Sequence, residues 1–74
     1  MNKMAEKIGV FIEWRGKSLL LCEGIDELTK YEKEEILLKA GSDTISVVGD
    51  GLIMTYLTGD RIAIEGQIKV VSYV

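Results

Sequence analysis

The sequence predicts an all-β domain, a small antiparallel meander that folds into a sandwich or roll. The chain has 74 residues and no proline, so its eight glycines mark the breaks between segments. Between them lie apolar segments of about five to seven residues, rich in Val, Ile, Leu and Tyr, which is the usual length and composition of β-strands. A chain of this length forms one domain. Its hydrophobic content of 47 % excludes a disordered protein.

The strands and turns follow from this pattern in chain order. Strands are expected at residues 10–14, 18–22, 35–39, 44–48, 52–57, 61–65 and 68–74. Glycine-containing turns are expected at residues 15–17, 41–43, 49–51 and 58–60. The turn at 49–51 is interpreted as a hairpin. It lacks the third glycine of a dinucleotide-binding fingerprint, and a strand follows it.

The N-terminal segment allows two interpretations. Met4, Ile8, Phe11 and Ile12 have helical spacing, whereas residues 10–14 have the composition of a strand. We prefer the strand, with residues 1–8 as a flexible arm and residues 9–74 as the single domain. The acidic stretch at residues 32–35 is predicted to be a loop that enters the next strand.

An internal repeat with an offset of about 17 residues relates residues 45–57 to residues 62–74, and a weaker copy precedes them. Each copy has a strand, a glycine that lets the backbone turn or bulge, and a second strand that ends in tyrosine. The alternative to the meander is therefore a short β-solenoid with coils of about 17 residues, although three copies are the minimum for that architecture. The structural-repeat residues are Gly24, Tyr31, Gly49, Tyr56, Gly66 and Tyr73.

Several predicted strands are apolar at neighbouring positions, and neighbouring side chains point to opposite faces of a sheet. Residues 19–22, 36–38 and 52–54 are examples. A domain this small cannot easily cover both faces of its own sheet. We therefore expect it to form a homo-oligomer or to bind a partner.

Composition excludes several kinds of active site. The chain has no histidine, which removes Ser-His and Cys-His catalysis and the commonest metal ligand. Its one cysteine, Cys22, lies in an apolar run and is expected to be a small buried side chain. No catalytic, metal or cofactor-binding residues are predicted, and we expect the protein not to be an enzyme.

Charge and hydropathy limit the partners. A net charge of −3 argues against nucleic acid. The apolar runs are far shorter than the roughly 20 residues that span a bilayer, so no transmembrane segment is expected. The acidic residues between 26 and 35 are interpreted as a solvated loop rather than a calcium site. Phe11 and Trp14 lie among basic residues, and we interpret them as part of a hairpin core rather than as a membrane contact.

Four ordered passages from Arg15 onward form a recognisable set: RGKSLLLCEGI at 15–25, Tyr31 followed by EEILL at 34–38, VGDGLI at 48–53, and IAIEGQI at 62–68 followed by Tyr73. With their spacing, these passages resemble the YabP/YqfC family of sporulation proteins. The turn at 41–43 departs from the family pattern. The loop at 58–60 is closer to the YqfC side, and the subgroup stays open.

This resemblance implies a non-enzymatic protein of the mother-cell cytoplasm, made during endospore formation, peripheral at the forespore membrane and linked to cortex or coat assembly. The partner that the resemblance implies is a membrane-associated sporulation protein. The apolar strands themselves suit β-pairing with such a partner or with a second copy of the chain. The alternative function is a small-ligand or carbohydrate-binding β module, which would need an exposed aromatic platform.

Overall fold

The computed structural model describes residues 10–74, which form one six-stranded sheet. Every pair of neighbouring strands is antiparallel, in the order β1-β2-β6-β5-β4-β3, and this part of the chain contains no helix. The all-β prediction is confirmed, and the antiparallel pairing matches the meander rather than the stacked coils of a solenoid. The predicted arm at residues 1–8 lies outside the described residues. The strands are β1 (Phe11–Arg15), β2 (Leu19–Glu23), β3 (Glu27–Tyr31), β4 (Glu35–Ala40), β5 (Asp43–Thr58) and β6 (Arg61–Tyr73).

The apolar residues of β2 and β4 alternate between the core and the outer face of the sheet. Leu20 and Cys22 of β2 are buried, while Leu19 and Leu21 are only half-buried. The same alternation runs along β4. In the strands that are apolar at neighbouring positions, one set of side chains therefore faces the core and the other set lies on the outer face.

β3 is absent from the strands that the apolar pattern predicts. Its sequence, ELTKY, contributes one half-buried residue to the core, Leu28, and its other positions are polar or exposed. Because this short edge strand places only Leu28 against the core, its apolar pattern is weak.

β5 and β6 are long strands that bend at glycine. The hairpin turn predicted at 49–51 is wrong, because β5 continues through these residues and pairs with β6 on both sides of them. The chain reverses later, at residues 59–60. The register shifts at the bend, as it does at β-bulges.

Close contact between the two backbones explains why glycine occupies the bend. Gly66 has φ +134, and a Cβ atom there would lie 2.6 Å from the carbonyl oxygen of Gly51. A Cβ atom on Gly49 would collide with the carbonyl oxygen of Gln67. The glycines thus allow a close approach of two paired strands at a bend rather than a reversal of the chain.

The short link between β2 and β3 forces the sheet to curl. These strands are consecutive in the chain but four positions apart in the sheet, which corresponds to a lateral distance of about 19 Å if the sheet were flat. The link at residues 24–26 can span only about 14 Å between Glu23 and Glu27. Its middle residue, Ile25, is buried, and its N–H donates to the carbonyl of Asp60 at 3.1 Å.

The curled sheet surrounds one apolar core. Turns at the other end hold it closed: the β1–β2 turn bonds to the bend of β6, and the β3–β4 turn bonds to the bend of β5. The four backbone bonds run from Gly66 to Ser18 (3.2 Å), Ile68 to Lys17 (2.9 Å), Gly49 to Glu34 (3.1 Å) and Leu52 to Lys33 (2.8 Å). The core comprises Leu20, Cys22, Ile25, Ile36, Leu38, Ala40, Ile45, Val47, Leu52, Ile62, Ile64 and Ile68.

Tyr31 at the end of β3 contacts the second half of β5. Its hydroxyl oxygen accepts a hydrogen bond from the backbone N–H of Met54 at 2.8 Å. This bond links the β3–β4 part of the sheet to a segment of β5 that β4 does not reach.

We expect Gly66→Ala to destabilise the protein by about 3 kcal/mol, because an L-residue at this φ is strained and its Cβ meets the Gly51 carbonyl. Urea unfolding followed by circular dichroism measures the loss. Gly16→Ala is the control: its φ is +65 but nothing lies within 4 Å, so a cost of about 1 to 2 kcal/mol is expected. Equal losses in both variants would contradict the close approach at the bend.

Tyr31→Phe should cost about 1 kcal/mol of stability, because it removes the acceptor for the Met54 N–H. Hydrogen exchange measured by NMR should show faster exchange at the Met54 amide. Tyr73→Phe, at a tyrosine that is 61 % exposed on β6, is the matched control. An unchanged Met54 exchange rate in Tyr31→Phe would show that the bond does not form in solution.

Candidate functional site

The curled sheet leaves four edge segments within residues 10–74. β1 pairs only with β2, and β3 pairs only with β4. β4 covers residues 43–48 of β5 and β2 covers residues 61–65 of β6. Residues 53–58 of β5 and 70–73 of β6 therefore have one strand neighbour each in the described part of the chain.

These edges differ in charge. β1 carries Glu13 and Arg15, and β3 carries Glu27 and Lys30. Charges are a usual protection of an edge strand against pairing with another chain. Residues 53–58 of β5, which we call the β5 edge, have the sequence IMTYLT and carry no charge, although a register shift at Thr55 interrupts them. Ile53 and Leu57 of this segment are 55 % and 62 % exposed. Residues 70–73 of β6, VVSY, carry no charge either, and only the surface beside the β5 edge is apolar.

An apolar surface continues inward from the β5 edge on the side of the sheet that faces away from the core. Residues opposite one another on neighbouring strands share a face. Leu21 and Tyr56 both lie opposite Ala63, and Leu19 and Ile53 both lie opposite Glu65. Ala63 is only 5 % exposed although it faces outward, because larger side chains flank it on both sides. We call this surface the outer apolar face: Leu19, Leu21, Ile53, Tyr56 and Ala63.

The outer face of the other half of the sheet is more polar. The Lys30 ammonium lies 2.8 Å from the Glu35 carboxylate, and the Ser46 hydroxyl donates to the same carboxylate at 3.1 Å. These hydrogen bonds, from Lys30 first and Ser46 second, lower the pKa of Glu35. The bond to Glu35 also raises the pKa of Lys30. The two outer faces therefore offer different surfaces to a partner.

The glycines of the predicted repeat occupy two kinds of place. Gly49 and Gly66 lie at the bends of β5 and β6, whereas Gly24 lies in the β2–β3 link with φ +89. The role of the repeat as a unit stays a prediction.

The tyrosines of the predicted repeat occupy three different environments. Tyr31 accepts the Met54 hydrogen bond. Tyr56 lies opposite Ala63 on the outer face, while Tyr73 lies opposite the buried Ile45. Thr55 is an extra residue at a register shift, which offsets the Tyr56 copy from the Tyr73 copy.

The described residues show no aromatic core on β1, no metal site and no membrane-spanning helix. Phe11 and Trp14 are 56 % and 45 % exposed on the β1 edge, so the interpretation of these two residues as part of a hairpin core is wrong. No group of three or more acidic or cysteine side chains in the described residues is arranged to hold a metal ion. Within the same range, no helix is long and apolar enough to cross a membrane.

A small groove lies at the end of the curled sheet near the β2–β3 link. Its volume is about 190 Å³, whereas small-molecule sites usually measure about 300 to 1,000 Å³. Asp26, Leu28, Leu57 and Ile62 are among the residues that line it.

Sequence reasoning missed two features of this surface. The Tyr31–Met54 hydrogen bond joins residues that no short motif relates. The buried outward position of Ala63 depends on which strand lies beside β6, which the periodicity of one strand does not show. Its only sequence signal is a small residue between two large core residues, Ile62 and Ile64.

Cys22 should react slowly with a thiol reagent in the folded protein. It is 1 % exposed, and burial raises its pKa to about 11, so little thiolate forms at neutral pH. Labelling by iodoacetamide followed by mass spectrometry should be slow at pH 7 and become fast in denaturant. Rapid labelling under native conditions would contradict the burial of this strand.

Comparisons with known proteins give one match. The model of the YabP family matches residues 10–74, the same range that the structure describes. No similar curated protein and no similar solved structure was found. The family match indicates a sporulation-related protein and agrees with the resemblance seen in the sequence. Since the match covers almost the entire chain, the protein belongs to the YabP family.

Proposed function

We propose that this protein is a non-enzymatic structural or adaptor module in the assembly of the spore cortex or coat. It acts in the cytoplasm of the mother cell, peripheral at the forespore membrane. It associates through its strands with a second copy of itself or with a membrane-associated sporulation protein. Membership of the YabP family supports the connection with sporulation.

The observation that carries the proposed mode of action is the uncharged β5 edge beside the outer apolar face. Ile53, Tyr56 and Leu57 are each about half exposed or more in the single chain. Exposed apolar side chains next to an unpaired strand are the features of a surface that binds another protein. The charged β1 and β3 edges are less suited to this role.

Deletion of the gene in its spore-forming host should lower the yield of heat-resistant spores, and electron microscopy should show a defective cortex or coat. Complementation with the unchanged chain should restore both. Ile53→Lys should fail to restore them, because it places a charge on the outer apolar face. The variant should still fold, since the Ile53 side chain is 55 % exposed.

Val70→Lys is the matched control for this complementation. Val70 is 50 % exposed, is the counterpart of Ile53 in the predicted repeat, and lies opposite Val48 on the other outer face. It should complement fully. Normal spores after deletion would contradict the proposed function, and full complementation by a folded Ile53→Lys protein would contradict the proposed surface.

A further inference from the structure

We infer that two copies of this chain pair through their β5 edges, with residues 53–58 of one copy antiparallel to the same residues of the other. This inference rests on the proposed function, because it names the partner that the β5 edge and the outer apolar face would bind. Pairing about a two-fold axis perpendicular to the sheet would continue the β1-β2-β6-β5 part of each sheet into the other copy.

The absence of charge in the segment favours a second copy as the partner. In a two-fold antiparallel pair, both copies contribute the same side chains to the contact, so every charge of the segment is brought into it twice. The β5 edge has none. Self-pairing of β1 would place the charges of Glu13 and Arg15 in the contact, and self-pairing of β3 those of Glu27 and Lys30.

The open side of the β5 edge carries backbone groups that β6 does not use. The Met54 N–H points to this side and donates to the Tyr31 hydroxyl of β3, so this one amide is already bonded. Within the described chain, residues 55–58 have no strand partner on the same side. Leu57 and Leu28 of β3 line a groove there. The second copy would use the backbone groups beyond Met54.

The side chains make the same pairing favourable. A two-fold axis perpendicular to the sheet keeps both outer faces on the same side. The outer apolar faces of the two copies then become continuous across the β5 edges, and the exposed Tyr56 and Leu57 side chains gain apolar neighbours. A six-residue strand is about 20 Å long, and such an edge buries less than the roughly 800 Å² per partner of a standard interface. We therefore expect a dimer that dissociates on dilution.

Two threonines allow a matched test. Thr55 and Thr29 are both exposed, both lie at a register shift, and each is on an edge strand, one on β5 and one on β3. Thr55→Lys puts a charge in the proposed dimer contact. Thr29→Lys puts the same charge on an edge that already carries Lys30.

Sedimentation equilibrium of the full chain over a wide concentration range tests the pairing. The apparent mass of the unchanged chain and of Thr29→Lys should rise from 8.2 kDa towards twice that value as concentration increases, whereas that of Thr55→Lys should remain at 8.2 kDa. Circular dichroism confirms that each variant is folded. A monomeric unchanged chain, a dimeric Thr55→Lys, or equal loss of dimer in both variants would overturn the inference.

A second measurement needs no variant. In a mixture of isotope-labelled and unlabelled chains, NMR contacts between copies should involve residues 53–58, and contacts that exclude this segment would overturn the pairing. Both measurements use the purified chain. A monomer therefore refutes the β5 pairing without bearing on the spore phenotype, while normal spores after deletion refute the proposed function and leave the dimer in place.

Discussion

The geometry of this domain depends on a three-residue link. Residues 24–26 join strands that a flat sheet would hold too far apart, so the sheet can exist only in a curled form. Ile25 completes the core from within the link, and backbone bonds from Ile25 to Asp60 and from Asp26 to Lys39 attach it to both halves of the sheet. The sheet curls where β5 and β6 bend. There the two paired backbones lie so close together that Gly49 and Gly66 have no room for a side chain.

The curl also determines where the exposed surface lies. Because β5 and β6 each change neighbours at the bend, each has one half inside a four-stranded layer and the other half at its edge. The first half of β5 is covered by β4, and the second half emerges as an uncharged edge beside the outer apolar face. The candidate surface is therefore a consequence of the same bends that close the core.

Much of this could be predicted from the sequence, for identifiable reasons. The fold class and most strands followed from short apolar segments such as residues 35–39 and 61–65, and the turns at 41–43 and 58–60 lie at or beside real strand ends. The turn at 49–51 could not be predicted correctly. A glycine pair between apolar residues looks the same whether the chain reverses there or a neighbouring strand approaches it closely, and only the pairing with β6 distinguishes the two. β3 was not predicted because a strand with only one core residue shows little alternation of apolar and polar positions.

The candidate surface was predictable in kind but not in place. Neighbouring apolar residues indicated that both faces of the sheet carry apolar side chains. The sequence did not show that Leu21, Ala63 and Tyr56 lie side by side on neighbouring strands. That arrangement depends on β2 and β5 lying on either side of β6, which is a property of the topology. The offset between Tyr56 and Tyr73 similarly depends on the extra residue Thr55.

The pairing of β2 with β6 has a consequence for how the chain folds. Leu20 lies opposite Ile64, so the two strands come from distant parts of the sequence. Hairpins such as β1–β2 and β3–β4 can form locally within microseconds, but β2 gains its second neighbour only when β6 is present. The core row that contains Leu20 and Cys22 is therefore completed late in folding, by contacts that are distant in sequence.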